Sequence, residues 1–337
     1  MSRNRVTVVI SQAQGKNPVR RGLEESLAAA LLMEPGVELS IVPHLYDLEP
    51  GHTGRLFLES VAGDMIVIGW FYPRAGFWLL DRMGVKGWEG SSPMHPVAED
   101  DGESEEGDEK PEKMAPIGAT GTIPDRQITL LDLRAKPGHE AYVEEVRRII
   151  GEARARQEAA RASRPAALVE LGLPKPAPVS DPAALAAPPA ARRWYPVIDY
   201  SRCTNCMQCL DFCLFGVYGV DGGERILVES QDNCKKGCPA CSRVCPEQAI
   251  MFPEYKTPAI AGAPVGAVSG LKIDLSKLFG GGDPMATAAR ERDRELEKDG
   301  RQAVGPTVGM APRRATRATT PPDELDGLVD ALDKLDI

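Results

Sequence analysis

The sequence predicts an α/β architecture, a doubly wound parallel sheet, followed by a small cysteine-rich domain of α+β type and flexible tails. Three observations lead there. Short β-rich runs alternate with helical stretches from Val6 to about Ala160. All eight cysteines then fall within 43 residues. Elsewhere the chain is rich in Ala, Pro and Gly; its 33 Gly and 29 Pro in 337 residues exceed what a compact enzyme uses and mark linkers and tails.

The elements follow in order across residues 1–161. Val6–Ile10 (VTVVI) is a short run of the kind buried in a parallel sheet. After the loop Ser11–Pro18, an amphipathic helix from about Val19 to Glu34 is closed by Pro35-Gly36. Val37–Val42 reads as a second strand and His52–Ala62 as a second helix. Asp64–Phe71 (DMIVIGWF) is the clearest buried strand, with a helix expected over Gly76–Met83. An acidic, disordered insertion is expected at 97–115. Its nine carboxylates from Glu99 to Glu112 face only Lys110 and Lys113, so it holds most of the net charge of −9. Order resumes with Gln127–Leu133 and a helix from His139 to about Arg161, with Tyr142, Val146, Ile149 and Ile150 on one face. Four successive β–α units imply a doubly wound, flavodoxin- or Rossmann-like sheet.

Ligands of such sheets bind beyond the carboxyl ends of the strands, here the loops Ser11–Asn17, Pro43–Asp47 and Trp70–Arg74. Neither Gly-rich phosphate-binding pattern is present. A flavin or nucleotide on this domain is therefore an option without a motif behind it. Trp70, Phe71, Tyr72, Trp78 and Trp88 concentrate aromatic surface that could pack on a helix or dock a partner or the cysteine domain. His44, His52, His95 and His139 lack metal-ligand spacing and read as surface or loop residues.

Residues 162–193 form an Ala/Pro-rich, semi-rigid spacer. In the domain at 194–255 the first cysteine group is Cys203-x2-Cys206-x2-Cys209-x3-Cys213. The second is Cys234-x3-Cys238-x2-Cys241-x3-Cys245, followed by Pro246. Three cysteines at this spacing wrap one [4Fe–4S] cube and leave one iron open. The fourth lies across a short helical turn and points toward the other cube. The expected sets are therefore crossed: Cys203, Cys206, Cys209 and Cys245 for cluster I, and Cys213, Cys234, Cys238 and Cys241 for cluster II. Two complete sets leave no iron free for substrate. Zinc sites use separated Cys-x2-Cys pairs and give the third cysteine no role; a disulfide framework belongs to secreted chains.

Short strands at Pro196–Asp199 and Ala249–Phe252, and a hairpin of Val217–Val220 and Arg225–Val228 around Asp221-Gly222-Gly223, complete the pattern. Residues 196–253 thus resemble a bacterial-type two-cluster ferredoxin, a resemblance that covers about a sixth of the chain. Two departures stand out: Leu214 follows Cys213 where the family has proline, and Lys235-Lys236-Gly237 puts three residues between Cys234 and Cys238. The glycine can absorb the extra residue in a bulge.

Residues 256–321 read as a largely flexible tail with a charged, exposed helix near 284–298. Leu325, Leu328, Val329, Leu332 and Leu335 make 322–337 a terminal amphipathic helix suited to docking on a partner. There is no basic nucleic-acid footprint, no stretch long and apolar enough for a membrane span, and no export signal, which together predict a cytoplasmic protein. The function expected is electron transfer, as a ferredoxin-like carrier or the electron-delivering subunit of a redox complex with protein donor and acceptor. A true oxidoreductase using the N-terminal domain, or a scaffold assembling redox partners, are the alternatives.

Overall fold

The computed structural model describes residues 5–94, 123–162, 191–264, 284–306 and 308. The acidic insertion, His95, nearly all of the 162–193 spacer and the 322–337 helix lie outside them. The N-terminal half is a five-stranded, wholly parallel sheet. Its strands are β1 (Val6–Ser11), β2 (Val37–Val42), β3 (Met65–Gly69), β4 (Trp88–Gly90) and β5 (Gln127–Asp132), in the order β2-β1-β3-β5-β4. Its helices are α1 (Pro18–Leu32), α2 (Thr53–Ser60), α3 (Pro73–Arg82) and α4 (Glu140–Ala162).

Alternation along the strands assigns each residue a face. Val8, Ile10, Ile66, Ile68 and Leu131 meet Leu27 and Leu31 of α1 and Tyr142, Val146 and Ile150 of α4. Val9, Met65, Val67, Ile128 and Leu130 meet Leu58 of α2 and Trp78, Leu79 and Leu80 of α3. Helices on both faces make the sheet doubly wound, as the sequence predicts. Asn17 caps α1 by accepting from the Val19 and Arg20 N–H groups at 3.0 and 3.3 Å. Helix α3 begins a turn before the predicted Gly76, because Pro73 is preorganised for the first helical position. Strand β4 was not legible in sequence. It takes the sheet edge and leaves β5 to pair with β3, which departs from the sequential order of flavodoxin-like sheets.

The cysteine domain contributes the two-stranded pair β6 (Val197–Ile198) and β9 (Ile250–Met251) and the hairpin β7 (Tyr218–Val220) and β8 (Ile226–Val228). Short helices α5 (Gln208–Phe212), α6 (Ala240–Val244) and α7 (Pro258–Ala261) complete it. Helix α8 (Pro284–Lys298) has the predicted span, but it is not an exposed helix in a loose tail. Ala288, Ala289, Arg292 and Leu296 are buried, and Ala288 joins Phe212, Cys238, Ala240 and Val244 in one core. Two alanines let the backbone approach closely, and the arginine finds its partners inside, a combination that binary patterning reads as solvent-facing.

The two halves share a core. Tyr195, Val197 and Met251 pack into the α2/α3 layer. The Tyr46 hydroxyl donates to the Tyr195 carbonyl at 2.5 Å and accepts from its N–H at 2.7 Å, while the Tyr195 hydroxyl donates to the Tyr46 carbonyl at 3.0 Å. Arg74 donates to Asp199 at 2.5 Å and to the Gln248 carbonyl at 2.7 Å. Gly262, at φ +101°, lies so close to α3 that a Cβ there would sit 2.8 Å from the Ala75 Cβ.

Candidate metal centre

The cysteine domain is built twice. In the first group, Cys203 follows a turn in which its N–H donates to the Asp199 carbonyl at 3.0 Å. Asn205 and Met207 then take left-handed conformations, φ 59° and 61°. Asn205 is held there by donating to the Glu224 carbonyl at 2.6 Å and accepting from Ile226 N–H at 2.8 Å. Cys209 is on α5, and Cys213 follows its end. In the second group Cys241 is on α6, and Cys245 follows its end. The extra residue between Cys234 and Cys238 is taken up at Gly237, at φ +85°, a conformation a side chain would strain.

The structure brings the cysteines together in two sets. Cys203, Cys206, Cys209 and Cys245 line one cavity. Cys213, Cys234, Cys238 and Cys241 line another. Each set takes three cysteines from one group and the fourth from the other. None of the eight is in a disulfide. Among the described residues no three His, Cys, Asp or Glu side chains gather on a single point as ligands of one ion. The sulfurs of each set line a space, and four thiolates are the donor chemistry that an iron–sulfur core takes.

The chemistry of the donors agrees. Burial pushes the thiols up: Cys238 to about 11, and Cys209, Cys234 and Cys241 further, with neighbouring cysteines adding to the shift. Thiolates in these cavities therefore need positive charge brought in with them. Backbone N–H groups already face the sulfurs: Ala249 donates to Cys245 Sγ at 3.3 Å, and the Phe215 and Val217 amides face Cys213. Sequence reasoning missed two further wall residues, Tyr218 and Arg292. Tyr218 was legible only as a hairpin residue, and Arg292 as a surface charge.

No family model matches the chain, and no solved structure matches it. Over 66 residues it is 47% identical to a protein of Methanocaldococcus jannaschii named an uncharacterized ferredoxin. The cysteine domain is ferredoxin-like. The match covers 19% of this chain and 44% of that relative, so the chain spans less than half of the relative's length. A ferredoxin-like domain implies an iron–sulfur cluster, electron transfer and redox partners. No described helix is long and apolar enough to cross a membrane.

The loops at the strand ends of the α/β domain are occupied from within. The Ala13 N–H, placed as a phosphate donor would be, donates to Glu24 at 2.5 Å, and the Trp70 indole donates to the same oxygen at 2.8 Å. Asp47 accepts from the Gln14 amide at 2.8 Å and from the Arg193 N–H at 3.0 Å. His44, read from sequence as a surface or loop residue, is a buried cap. Its Nδ1 accepts from Tyr46 N–H at 3.3 Å, which leaves Nε2 to carry the proton, 3.4 Å from Glu254. Burial, with Arg20 and Arg192 nearby, lowers its pKa to about 4 and outweighs Glu254, so the ring is neutral. His52 caps α2 by accepting from Gly54 N–H at 3.0 Å. Of the five aromatics, Trp78 faces the ferredoxin-like domain, edge-on to Tyr200 at 5.8 Å, while Phe71 is core.

Proposed function

We propose that the ferredoxin-like domain holds two [4Fe–4S] clusters, cluster I on Cys203, Cys206, Cys209 and Cys245 and cluster II on Cys213, Cys234, Cys238 and Cys241, and that the chain delivers electrons within a larger redox complex. The observation that carries this reading is the pair of cavities, each lined by four cysteines in the crossed combination. When bound, each cluster supplies a one-electron couple. The chain's own part is to hold the sulfurs, to aim amides at them and to keep most of them from water. Cys206 is exposed, which supports cluster I as the side met by a partner. The α/β domain acts in this reading as the rigid seat of the ferredoxin-like domain. A nucleotide or flavin on it finds less support, since Glu24 takes up the loop N–H that an anion would need.

Anaerobically purified protein should contain about eight irons and as many acid-labile sulfides per chain. Cys245→Ala should damage cluster I and spare the EPR signal of cluster II. Stoichiometric zinc without iron, or loss of the cluster II signal instead, would refute the assignment.

A further inference from the structure

The two cysteine-lined cavities differ in the charge of their walls. The one bounded by Cys213, Cys234, Cys238 and Cys241 also has Lys235 and Arg292 in its wall and no carboxylate. The one bounded by Cys203, Cys206, Cys209 and Cys245 has Glu247 and neither lysine nor arginine.

Both cations are held in place. Lys235 begins the three-residue spacer between Cys234 and Cys238; its Nζ lies 2.6 Å from Asp299 and 5.5 Å from the Phe215 ring. Arg292 is 1% exposed, stacks over Phe212 at 4.5 Å, and donates to the Val308 and Gly305 carbonyls at 2.6 Å each. Its counter-ion Asp293, at 3.0 Å, is not part of the cavity wall, and the Arg292 charge acts on Cys213. The other carboxylates of α8 near this wall have their own cations: Glu291 has Arg243 at 2.8 Å and Glu295 has Lys298 at 2.6 Å. Tyr218 adds a third feature. It is 8% exposed, lines the same cavity, and turns its buried hydroxyl toward the Cys241 sulfur, in a contact that falls short of full hydrogen-bond geometry. A buried hydroxyl so placed has sulfur as its acceptor, and donates more strongly as negative charge builds up on that sulfur.

We infer that the Lys235 spacer and α8 set the two clusters apart in potential, so that the electron rests on the one held by Cys213, Cys234, Cys238 and Cys241. This rests on the two-cluster reading above. Reduction adds one negative charge to a cluster. A cation in a low-dielectric wall stabilises that charge, a carboxylate opposes it, and a hydroxyl donating to sulfur acts in the cation's direction. The internal step is a one-electron exchange: cluster I is oxidised, cluster II is reduced, and no bond or proton moves. An electron received at the exposed Cys206 side therefore runs inward, to the cluster covered by α8.

The test is an EPR-monitored redox titration of the full-length, iron-loaded chain and three variants. Wild type should show two midpoints. Arg292→Gln should lower the upper one by about tenfold in its reduction equilibrium, which for a one-electron couple is about 59 mV, and leave the lower one in place. Arg292→Lys, which keeps the charge, should leave both unmoved, and Tyr218→Phe should lower the upper one by less than Arg292→Gln does. An upper midpoint that stays put or rises in Arg292→Gln would overturn the inference. A rise is what simple loss of the covering helix would give, because water stabilises the more highly charged reduced cluster. A wild type holding a single cluster would refute the two-cluster reading itself; two clusters with an unmoved upper midpoint would refute only the bias.

Discussion

In the α/β domain each face of the sheet is closed by side chains alone, with Leu27, Leu31 and Val146 on one side and Leu58, Leu79 and Leu80 on the other, all fully buried. In the ferredoxin-like domain the same central positions are lined by sulfur around two cavities, and the strands flanking them are two or three residues long. Strands so short carry few ladder bonds and little aliphatic area. The first domain thus rests mainly on side-chain packing, while the second, in the two-cluster reading, should depend also on what fills its cavities. Their shared seam lets the rigid half hold the dependent one in register.

The largest expected effect breaks this comparison outright. Stripping iron with a chelator under reducing conditions should abolish amide-exchange protection across residues 194–255 and leave β1, β3 and β5 protected. Equal loss in both domains would show that the seam, not the metal, is the common support.

The next effect is acid lability at the seam. His44 has a pKa of about 4 in the fold against 6.5 in the unfolded chain. Between those values the unfolded state binds the extra proton, so stability is full above about pH 6.5 and falls as pH drops toward 4, by at most about 3 kcal/mol. Glu254, whose carboxyl burial pushes up, offsets part of this. Urea melts at pH 7 and pH 4.5 should show a smaller acid loss for His44→Asn than for wild type. Identical losses would remove His44 from the account.

The smallest is Tyr46→Phe, which strips both partners from the Tyr195 backbone. It should cost about 1–3 kcal/mol and selectively raise exchange at residues 194–198. Unchanged exchange there would mean that the seam is held by apolar packing and by Arg74.

The parts legible in sequence were those carried by local pattern. Cysteine spacing pointed to the two groups of four that line the cavities, short β-rich runs marked β1, β2, β3 and β5, and Gly237 takes the positive φ that its place in the spacer suggested. What escaped depends on contacts between distant residues. Among the described residues strand β4 pairs only with β5, more than thirty positions on, so three residues with no apolar alternation gave no signal. The Tyr46–Tyr195 clasp joins positions 149 apart. Arg292 carries the sequence signature of a solvated helix face, and its burial depends on carbonyl oxygens offered by Gly305 and Val308.

Of the eight cysteines, Cys206 alone is exposed, on a loop that Asn205 pins open in a left-handed turn. The corner proposed to meet a partner would admit oxidants as well, since attack on sulfur follows exposure. Under the two-cluster reading, the lifetime of the protein in air should accordingly depend on a loop of three residues, Thr204–Cys206, more than on the strength of either core.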